Sequence, residues 1–144
     1  MALDIRIDFV PENLIMSIVP LIYELNEGEI SMKVLEERTR EMAAQNWKCV
    51  GMWDKDRLIG ICGLWFCTRH YSGRSMEADH VYIEPEYQGH GLGNKLFDWL
   101  HNYAKENGIE ASELNTYVRN TRSHKFYYNL GYEILGFHFL RRFV

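Results

Sequence analysis

The order of hydrophobic and polar residues predicts a chain of alternating strands and helices. Leu3–Val10 alternates apolar with charged side chains, as a half-buried strand does. Apolar residues then recur at helical spacing over Leu14–Leu25, and Ser31 is a suitable N-cap for a second helix. Two apolar segments joined by a short polar turn follow, and they predict a β-hairpin of Trp47–Trp53 with Leu58–Thr68.

The next segment, Ser75–Gly93, predicts a strand, a glycine-rich turn and the start of a helix. The strand ends at Pro85, because proline has no N–H to donate to a neighbouring strand. The helix has one apolar face, formed by Leu92, Leu96, Trp99, Leu100 and Tyr103. Such a turn before a helix is a typical site for a phosphorylated ligand, because the first N–H groups of the helix are unpaired and carry partial positive charge.

The last third of the chain predicts one more strand, a helix and two closing strands. The strand is Glu113–Val118, and the helix is capped by Asn120 or Thr121 and ends at Leu130. The two closing strands are Tyr132–Leu135 and Phe137–Val144, with a bend at Gly136. The predicted order is therefore β-α-α-β-β-β-α-β-α-β-β, a mixed sheet of α/β or α+β class with one local parallel pairing.

Composition and charge narrow the class of protein. The 144 residues suit one domain, with 47% hydrophobic and 25% charged residues and a net charge of −4. This mild acidity argues against nucleic-acid binding, which usually needs a basic surplus. We expect no membrane span and no signal peptide, because no apolar run is long enough and the first residues lack the basic and apolar regions of a leader. We expect a cytoplasmic protein whose three cysteines, Cys49, Cys62 and Cys67, are reduced core thiols.

The link between the first two helices carries Glu24, Glu27 and Glu29. A solvated acidic loop explains these residues, and so does a surface that attracts a cationic substrate. The sequence leaves both interpretations open.

The glycine turn can be compared with three phosphate-binding patterns. The P-loop pattern fails, because no lysine and hydroxyl follow the glycines. The dinucleotide pattern G-x-G-x-x-G begins at Gly89 but has Asn94 where its last glycine belongs. A third pattern, [Arg/Gln]-x-x-Gly-x-[Gly/Ala] at the end of a strand, is satisfied in full by Gln88–Gly93.

A second block makes the third pattern specific. Asn120–Tyr132 resembles the Asn-x-x-Ala-x-x-[Phe/Leu]-Tyr-x-x-x-Gly-Phe segment of the GNAT superfamily of acetyl-CoA-dependent N-acetyltransferases, with Ser123 for alanine and Tyr132 for phenylalanine. The two blocks lie about thirty residues apart, as in that family, and the element order agrees over almost the whole chain. The resemblance implies a single N-acetyltransferase domain over residues 1–144, with a mostly antiparallel central sheet of about seven strands and helices on both faces.

The resemblance also implies a site for acetyl-CoA, with no metal. The cofactor would lie between the strand that ends at Ile83 and the strand that ends at Val118. Main-chain groups of Val81, Tyr82 and Ile83 would pair with its pantetheine amides. The pyrophosphate would contact Gln88 and the turn and helix start, which comprise Gly89, His90, Gly91, Leu92, Gly93 and Asn94. Asn120 would cap its helix and contact the cofactor.

The catalytic residues implied by the resemblance are a tyrosine and a carboxylate. Tyr127 matches the family's tyrosine, whose phenol protonates the leaving thiolate of CoA. Asp79, or else Glu77, would take the proton of the attacking amine, and His80 ranks third. Strict alternation places Glu77 and Asp79 on the face of Val81 and Ile83, an unusual place for two acids, so they line an open cleft or a bulge changes their direction.

The expected cofactor site and catalytic residues together predict a function. We expect acetyl transfer to a primary amine, of a small molecule rather than a protein because of the acidic link. Acetylation of protein lysines or N-termini, transfer of a larger acyl group, and a sensor that binds acyl-CoA without catalysis are the alternatives. We expect no nucleic-acid or membrane partner, and a homodimer is compatible with the apolar C-terminal residues.

Overall fold

One five-stranded sheet organises residues 3–144, the part of the chain that this computed structural model describes. Its strands lie in sequence order, β1-β2-β3-β4-β5. The elements along the chain are β1 Ile5–Phe9, α1 Val19–Leu25, α2 Met32–Ala43, β2 Trp47–Asp54, β3 Arg57–Arg69, β4 Gly73–Ile83, α3 Leu92–Glu106, β5 Ala111–Leu114 and α4 Thr121–Asn129. Two short 3₁₀ helices add Glu12–Ile18 and Pro85–Tyr87.

The sheet is mixed, as predicted. Strands β1 to β4 pair antiparallel, and β5 pairs parallel to β4. Short turns connect β2, β3 and β4, whereas α1 and α2 lie between β1 and β2. A parallel pair needs a crossover connection, which α3 provides. The mixed, mostly antiparallel fold is therefore confirmed.

Helices cover both faces of the sheet, each over its own hydrophobic cluster. On one face α3 packs the buried side chains of Leu96, Phe97 and Leu100 onto the strands, with α4 beside it. On the other face the first 3₁₀ helix, α1 and α2 bury Ile18, Val19, Leu21, Ile22 and Leu35. The apolar faces that the sequence predicts for these helices therefore pack against the sheet.

The first predicted helix divides into two elements. Residues 12–18 form the 3₁₀ helix, and α1 begins only at Val19. The reason is Pro20, which lacks the N–H that an α-helix interior requires and is tolerated in the first turn. The predicted N-cap of the second helix is correct, since Ser31 Oγ accepts a hydrogen bond of 3.3 Å from the Val34 N–H.

The prediction of two closing strands, and with it a sheet of about seven strands, is wrong. After Tyr132 the described chain contains no helix and no strand, and residues 133–144, the C-terminal arm, are all exposed. Phe137, Phe139 and Phe143 are 81%, 91% and 87% exposed. Apolar alternation favours a strand, but a strand forms only where another strand supplies hydrogen bonds, and the arm pairs with no strand of the described chain.

A buried polar contact lies within the cluster under α1 and α2. Both ring nitrogens of His80 and the Nε1 of Trp47 are buried, and none has a hydrogen-bond partner among the described residues. The two rings converge over Gly63, where a Cβ would collide with His80 Nε2 and lie 2.9 Å from Trp47 Nε1. Burial lowers the pKa of His80 to about 4, against the opposing charge of Asp79. The folded protein therefore holds this imidazole neutral.

This histidine should make the protein less stable in acid. Between about pH 6.5, the ordinary histidine pKa, and pH 4 the unfolded chain binds a proton at His80 that the folded chain does not, so stability falls as pH falls through this window. We expect His80→Gln to reduce the stability difference between pH 7 and pH 5 by on the order of 1–2 kcal/mol, measured by urea unfolding. His138→Gln, in the exposed arm, is the matched control. Equal pH dependence in wild type and His80→Gln would contradict the neutral buried imidazole.

Candidate active site

The central feature of the site is the point where β4 and β5 part. The two strands pair over four positions, from Ser75 beside Ala111 to Ala78 beside Leu114. Beyond Ala78, β4 continues to Ile83 along β3, whereas the chain after Leu114 leaves the sheet and is exposed. The edge of residues 79–83 that faces β5 consequently has no strand partner in the described part of the chain. Its N–H and C=O groups can pair with an extended ligand as another strand would.

A β-bulge begins where the strands part. Gly63 of β3 pairs with His80 and the next residue, Leu64, pairs with Ala78, so Asp79 is the extra residue on β4. A bulge bends its strand and changes the direction of the side chains around it. The bulge considered from the sequence is thus present.

The bulge corrects the predicted arrangement of side chains on β4. Ala78, Val81 and Ile83 pack on the cluster under α3, whereas His80 contacts Trp47 and Tyr82 joins the cluster under α1 and α2. A single face with Glu77, Asp79, Val81 and Ile83 is therefore wrong, because the inserted residue shifts the alternation by one position. Asp79 itself is exposed at the bend.

Glu77 lies in a polar network at the paired end of the two strands. The parallel register places it beside Glu113 of β5, and Arg69 of β3 binds both carboxylates, with Nη2 2.7 Å from Glu77 Oε2 and Nε 2.6 Å from Glu113 Oε2. The Asn115 amide donates to the other Glu77 oxygen over 2.9 Å. Both oxygens of Glu77 are thus engaged in holding β4 and β5 together.

Glu113 is held ionised by the same network. Burial raises its pKa, but hydrogen bonds from Ser75 and Tyr71 and the guanidinium of Arg69 outweigh burial and lower the pKa below its usual value. Sequence reasoning missed Arg69, Ser75 and Glu113. They lie on three strands, and only the register brings them together.

The glycine turn leaves the start of α3 open. Gly89 and Gly91 have φ of 80° and 76°, a left-handed conformation that glycine adopts without strain, and no protein atom lies within 4 Å of where a Cβ would be. Gly91 is the N-cap of α3 and offers no side-chain acceptor. The N–H groups of Leu92, Gly93 and Asn94 in the first helical turn have no hydrogen-bond partner among the described residues, which fits an anionic ligand.

Two other predicted residues of the turn, Gln88 and Gly93, contact neighbouring parts of the protein. Gln88 Nε2 donates a hydrogen bond of 2.8 Å to the Ile83 carbonyl and so ties the turn to the end of β4. A Cβ on Gly93 would lie 3.2 Å from the Phe126 ring, so this glycine lets α3 and α4 approach. His90 is exposed.

Helix α4 places Tyr127 beside the parting strands. Its N-cap is Asn120, whose Oδ1 accepts a hydrogen bond of 3.3 Å from the Ser123 N–H. The Tyr127 ring packs at 5.6 Å from Phe97 and 5.9 Å from Tyr132 between ring centroids. Burial first, and then the proximity of Cys62 and Tyr132, raise the pKa of Tyr127 to about 12. Tyr127 is thus a neutral phenol fixed on the cluster that also contains Val81 and Ile83.

Tyr132 makes two polar contacts that the sequence did not predict. Its hydroxyl lies 2.6 Å from Ser112 Oγ on β5 and 3.0 Å from His101 Nε2 on α3. One side chain at the end of α4 thus connects β5 to α3. The tyrosine in place of the family's phenylalanine supplies this hydroxyl.

The acidic link between α1 and α2 lies near the open end of β4. Glu24, Glu27 and Glu29 are exposed. Burial raises the pKa of Tyr82, and the charges of Glu24 and Glu84 raise it further. Glu24 belongs to α1, and α1 contacts β4. The link therefore adds negative charge beside the strand that borders the cleft.

The remaining sequence predictions concern the cysteines, metal binding and membrane-spanning helices. Cys49 and Cys62 are buried free thiols, but Cys67 is exposed, so the prediction of three core thiols is wrong for that residue. Among residues 3–144 no three His, Cys, Asp or Glu side chains are arranged as metal ligands. No helix in this range has both the length and the apolar character needed to cross a membrane.

Similar proteins support the family assignment. The chain is 28% identical over 72 residues to the aminoalkylphosphonate N-acetyltransferase of Salmonella typhimurium, a match that covers 50% of this chain and 47% of that protein. The chain spans about half the length of the curated relatives it matches.

Solved structures share the fold over nearly the whole chain. A possible acetyltransferase from Clostridium difficile 630 matches with a TM-score of 0.83 at 18% identity and covers 97% of each chain. The aminoglycoside N-acetyltransferase AAC(6')-Iy, in complex with CoA, matches with a TM-score of 0.82 at 15% identity and covers 99% of this chain and 96% of its own.

The sequence model of the acetyltransferase (GNAT) family matches residues 16–132, which is well over half of the chain. The chain therefore belongs to the GNAT acetyltransferase family, whose enzymes use acetyl-CoA as co-substrate.

Proposed function

We propose that residues 1–144 form one N-acetyltransferase domain that transfers the acetyl group of acetyl-CoA to a primary amine of a small, cationic molecule. The observation that carries this proposal is the parting of β4 from β5 at Asp79, next to the open glycine turn. An unpaired strand edge and a cluster of unpaired N–H groups together suit an extended ligand that ends in phosphates.

The cofactor-binding residues in this proposal are those of the strand edge and the turn. Val81, Tyr82 and Ile83 offer main-chain groups to the pantetheine arm, and the Ile83 carbonyl also accepts the hydrogen bond from Gln88. The N–H groups from Gly89 to Asn94 receive the pyrophosphate, and the open space at Gly89 and Gly91 allows it to approach the main chain. Gln88 and Asn120 hold the turn and α4 in place through their own hydrogen bonds. When bound, acetyl-CoA supplies an activated acetyl thioester.

Tyr127 is the proposed general acid. Its phenol is neutral throughout the working pH range, because burial raises its pKa to about 12. Complete transfer of its proton to a thiolate of pKa near 8.5 is uphill, at about 1.4 kcal/mol for each unit of difference. The hydrogen bond from Tyr127 Oη to the sulfur as it gains charge is therefore the larger part of its contribution.

Asp79 is favoured over Glu77 as the proposed base. The carboxylate of Glu77 is bound by Arg69 and Asn115. Neutralising this carboxylate would leave the Arg69 guanidinium paired with Glu113 alone. Asp79 is exposed at the bulge, where the cleft begins, and can accept a proton from the amine directly or through water.

The acidic link supports a cationic acceptor. Glu24 belongs to α1, which contacts β4, and Glu27 and Glu29 follow on the same exposed link. Negative charge at the mouth of a cleft raises the local concentration of cations. Two similar proteins, by their names, acetylate an aminoalkylphosphonate and an aminoglycoside, both of which carry amines.

An amine panel tests the function itself. We expect acetyl-CoA with small diamines, amino sugars or aminoalkyl compounds to release free CoA thiol, measured with a thiol reagent, and the rate to fall with ionic strength because screening weakens the acidic link. Peptides with free N-termini or lysines are the comparison set. Release with peptides alone would contradict a small-molecule acceptor, and binding of acetyl-CoA without release for any amine would favour a sensor.

Replacing Tyr127 tests the general acid. Tyr127→Phe keeps the ring contacts with Phe97 and Tyr132 and removes only the hydroxyl, so acetyl-CoA should bind as before while kcat falls by roughly 10²-fold or more. The neighbouring Tyr128, which is 56% exposed, gives the matched control Tyr128→Phe. Wild-type turnover in Tyr127→Phe would exclude the role.

Comparing two carboxylates tests the base. Asp79→Asn should remove the rise of kcat/KM with pH and leave thermal stability close to that of the wild type. Glu77→Gln should instead lower the melting temperature, because it leaves Arg69 with one carboxylate partner fewer at the β4–β5 junction. A normal pH profile for Asp79→Asn, with the rise lost in a stably folded Glu77→Gln, would reverse the assignment.

A further inference from the structure

Helix α4, which carries Tyr127, buries little surface of its own. None of its residues, Thr121–Asn129, is fully buried, although Phe126 and Tyr127 pack against the cluster under α3. Most of the stability of a helix in a protein comes from a packed apolar face, so a helix of nine residues without a fully buried side chain depends strongly on contacts at its ends. The position of Tyr127 therefore depends on what holds the C-terminal end of α4.

The C-terminal end of α4 is a Schellman motif in which Tyr132 binds Tyr127 directly. The Tyr132 N–H donates a hydrogen bond of 3.0 Å to the Tyr127 carbonyl, and the Gly131 N–H donates one of 3.0 Å to the Tyr128 carbonyl. Gly131 has φ of 94°, in the left-handed region that glycine adopts without strain. The rings of Tyr132 and Tyr127 also pack at 5.9 Å between centroids. Both the main chain and the side chain of Tyr132 thus contact Tyr127.

The hydroxyl of Tyr132 reaches two other elements. It lies 2.6 Å from Ser112 Oγ and 3.0 Å from His101 Nε2. Ser112 belongs to the part of β5 that pairs with β4, where it lies beside Met76, and His101 belongs to α3. A tyrosine hydroxyl can donate one hydrogen bond and accept another, so both contacts can be made at once. One residue therefore connects α4 to the sheet and to α3.

We propose that Tyr132 is a positioning residue, whose hydroxyl holds the end of α4 against β5 and α3 and so fixes the Tyr127 phenol beside the gap between β4 and β5. The proposal rests on the proposed role of Tyr127 as general acid. Tyr132 acts through Tyr127 and needs no contact with the thioester or the amine.

A ring without the hydroxyl would fill the same space but hold α4 less firmly. Contacts between aromatic rings, such as those of Tyr132 with Phe97 at 6.1 Å and with Tyr127, tolerate a range of geometries. Hydrogen bonds weaken steeply as their angle departs from linear, so the two bonds at Tyr132 Oη restrict both the distance and the direction of the ring. Displacing a reacting group by about 1 Å can lower a rate by roughly 10²-fold. A small movement at the end of α4 would therefore lower the rate through Tyr127.

A double-mutant cycle on turnover tests the proposal. We expect Tyr132→Phe, measured well below its melting temperature, to lower kcat by roughly 10-fold while the Kd of acetyl-CoA stays unchanged. In a Tyr127→Phe background the same change should lower kcat no further, because the hydroxyl that Tyr132 positions is then absent. Tyr128→Phe, at a residue 56% exposed on the same helix, is the matched control and should keep the kcat of the wild type.

A hydroxyl that only stabilised the fold would give a different pattern. The melting temperature of Tyr132→Phe would fall, and kcat per folded molecule would not. Wild-type kcat in Tyr132→Phe would therefore overturn the proposal. The same fold loss of kcat from Tyr132→Phe in both backgrounds would also overturn it, because the two residues would then act independently.

Replacing Ser112 tests the connection from the side of β5. Ser112→Ala keeps Tyr132 and removes one of the two partners of its hydroxyl. We expect a loss of kcat in the same direction as that of Tyr132→Phe, and no further loss when both changes are combined. Losses that multiply in the double variant would show that Ser112 acts by another route, and would contradict the connection through Tyr132.

Nuclear magnetic resonance separates the positioning from the proposed function. With ¹³C at the Cζ carbon of the nine tyrosines, the Tyr127 signal is identified by its loss in Tyr127→Phe. This signal should shift in Ser112→Ala, which leaves every tyrosine in place. It should not shift in Ser17→Ala, the same change at an exposed serine of the first 3₁₀ helix. An unshifted Tyr127 signal in Ser112→Ala would overturn the positioning, whatever the activity. Absence of acetyl transfer to any amine would instead refute the proposed function and leave the result at Tyr127 standing.

Discussion

The extra residue in β4 is the constraint on which the rest of the site depends. Up to Ala78 the strand is an ordinary member of the sheet, paired on both sides. At Asp79 the bulge bends it, and from there only β3 remains as a neighbour. The gap that results exposes main-chain hydrogen-bonding groups in the middle of a folded domain. An extended ligand can pair with these groups as another strand would.

The parting is stable because the four paired positions before it are held by side chains. Glu77 and Glu113 lie side by side in the register, and Arg69 binds both and so offsets the repulsion between their charges. Exposed ion pairs contribute at most about 1 kcal/mol each. Here one guanidinium joins three strands, with Ser75, Tyr71 and Asn115 as further donors. The pairing of β4 with β5 therefore ends at Ala78, and the gap between the two strands begins at Asp79.

The two helices of the site are positioned by the same hydrophobic cluster. Gly93 lets Phe126 approach α3, and Phe97 lies among the rings of Phe126, Tyr127 and Tyr132. The start of α3 and the phenol of Tyr127 are thus joined through one hydrophobic cluster on one face of the sheet. On the opposite face, His80 and Tyr82 join the cluster under α1 and α2, close to the acidic link.

The sequence by itself determined the local elements and the family. Periodicity located the helices that cover both faces, the glycine pattern from Gln88 to Gly93 indicated the turn, and Asn120 was identified as a cap, because each of these depends on residues close together in the chain. Only the tertiary structure decided which carboxylate is engaged, since Arg69, Glu77 and Glu113 meet through strand register. It also decided that the apolar C-terminal residues form no strand with any described segment of their own chain. Alternation specifies that a segment can be a strand, but the partner that supplies its hydrogen bonds is a property of the assembled fold.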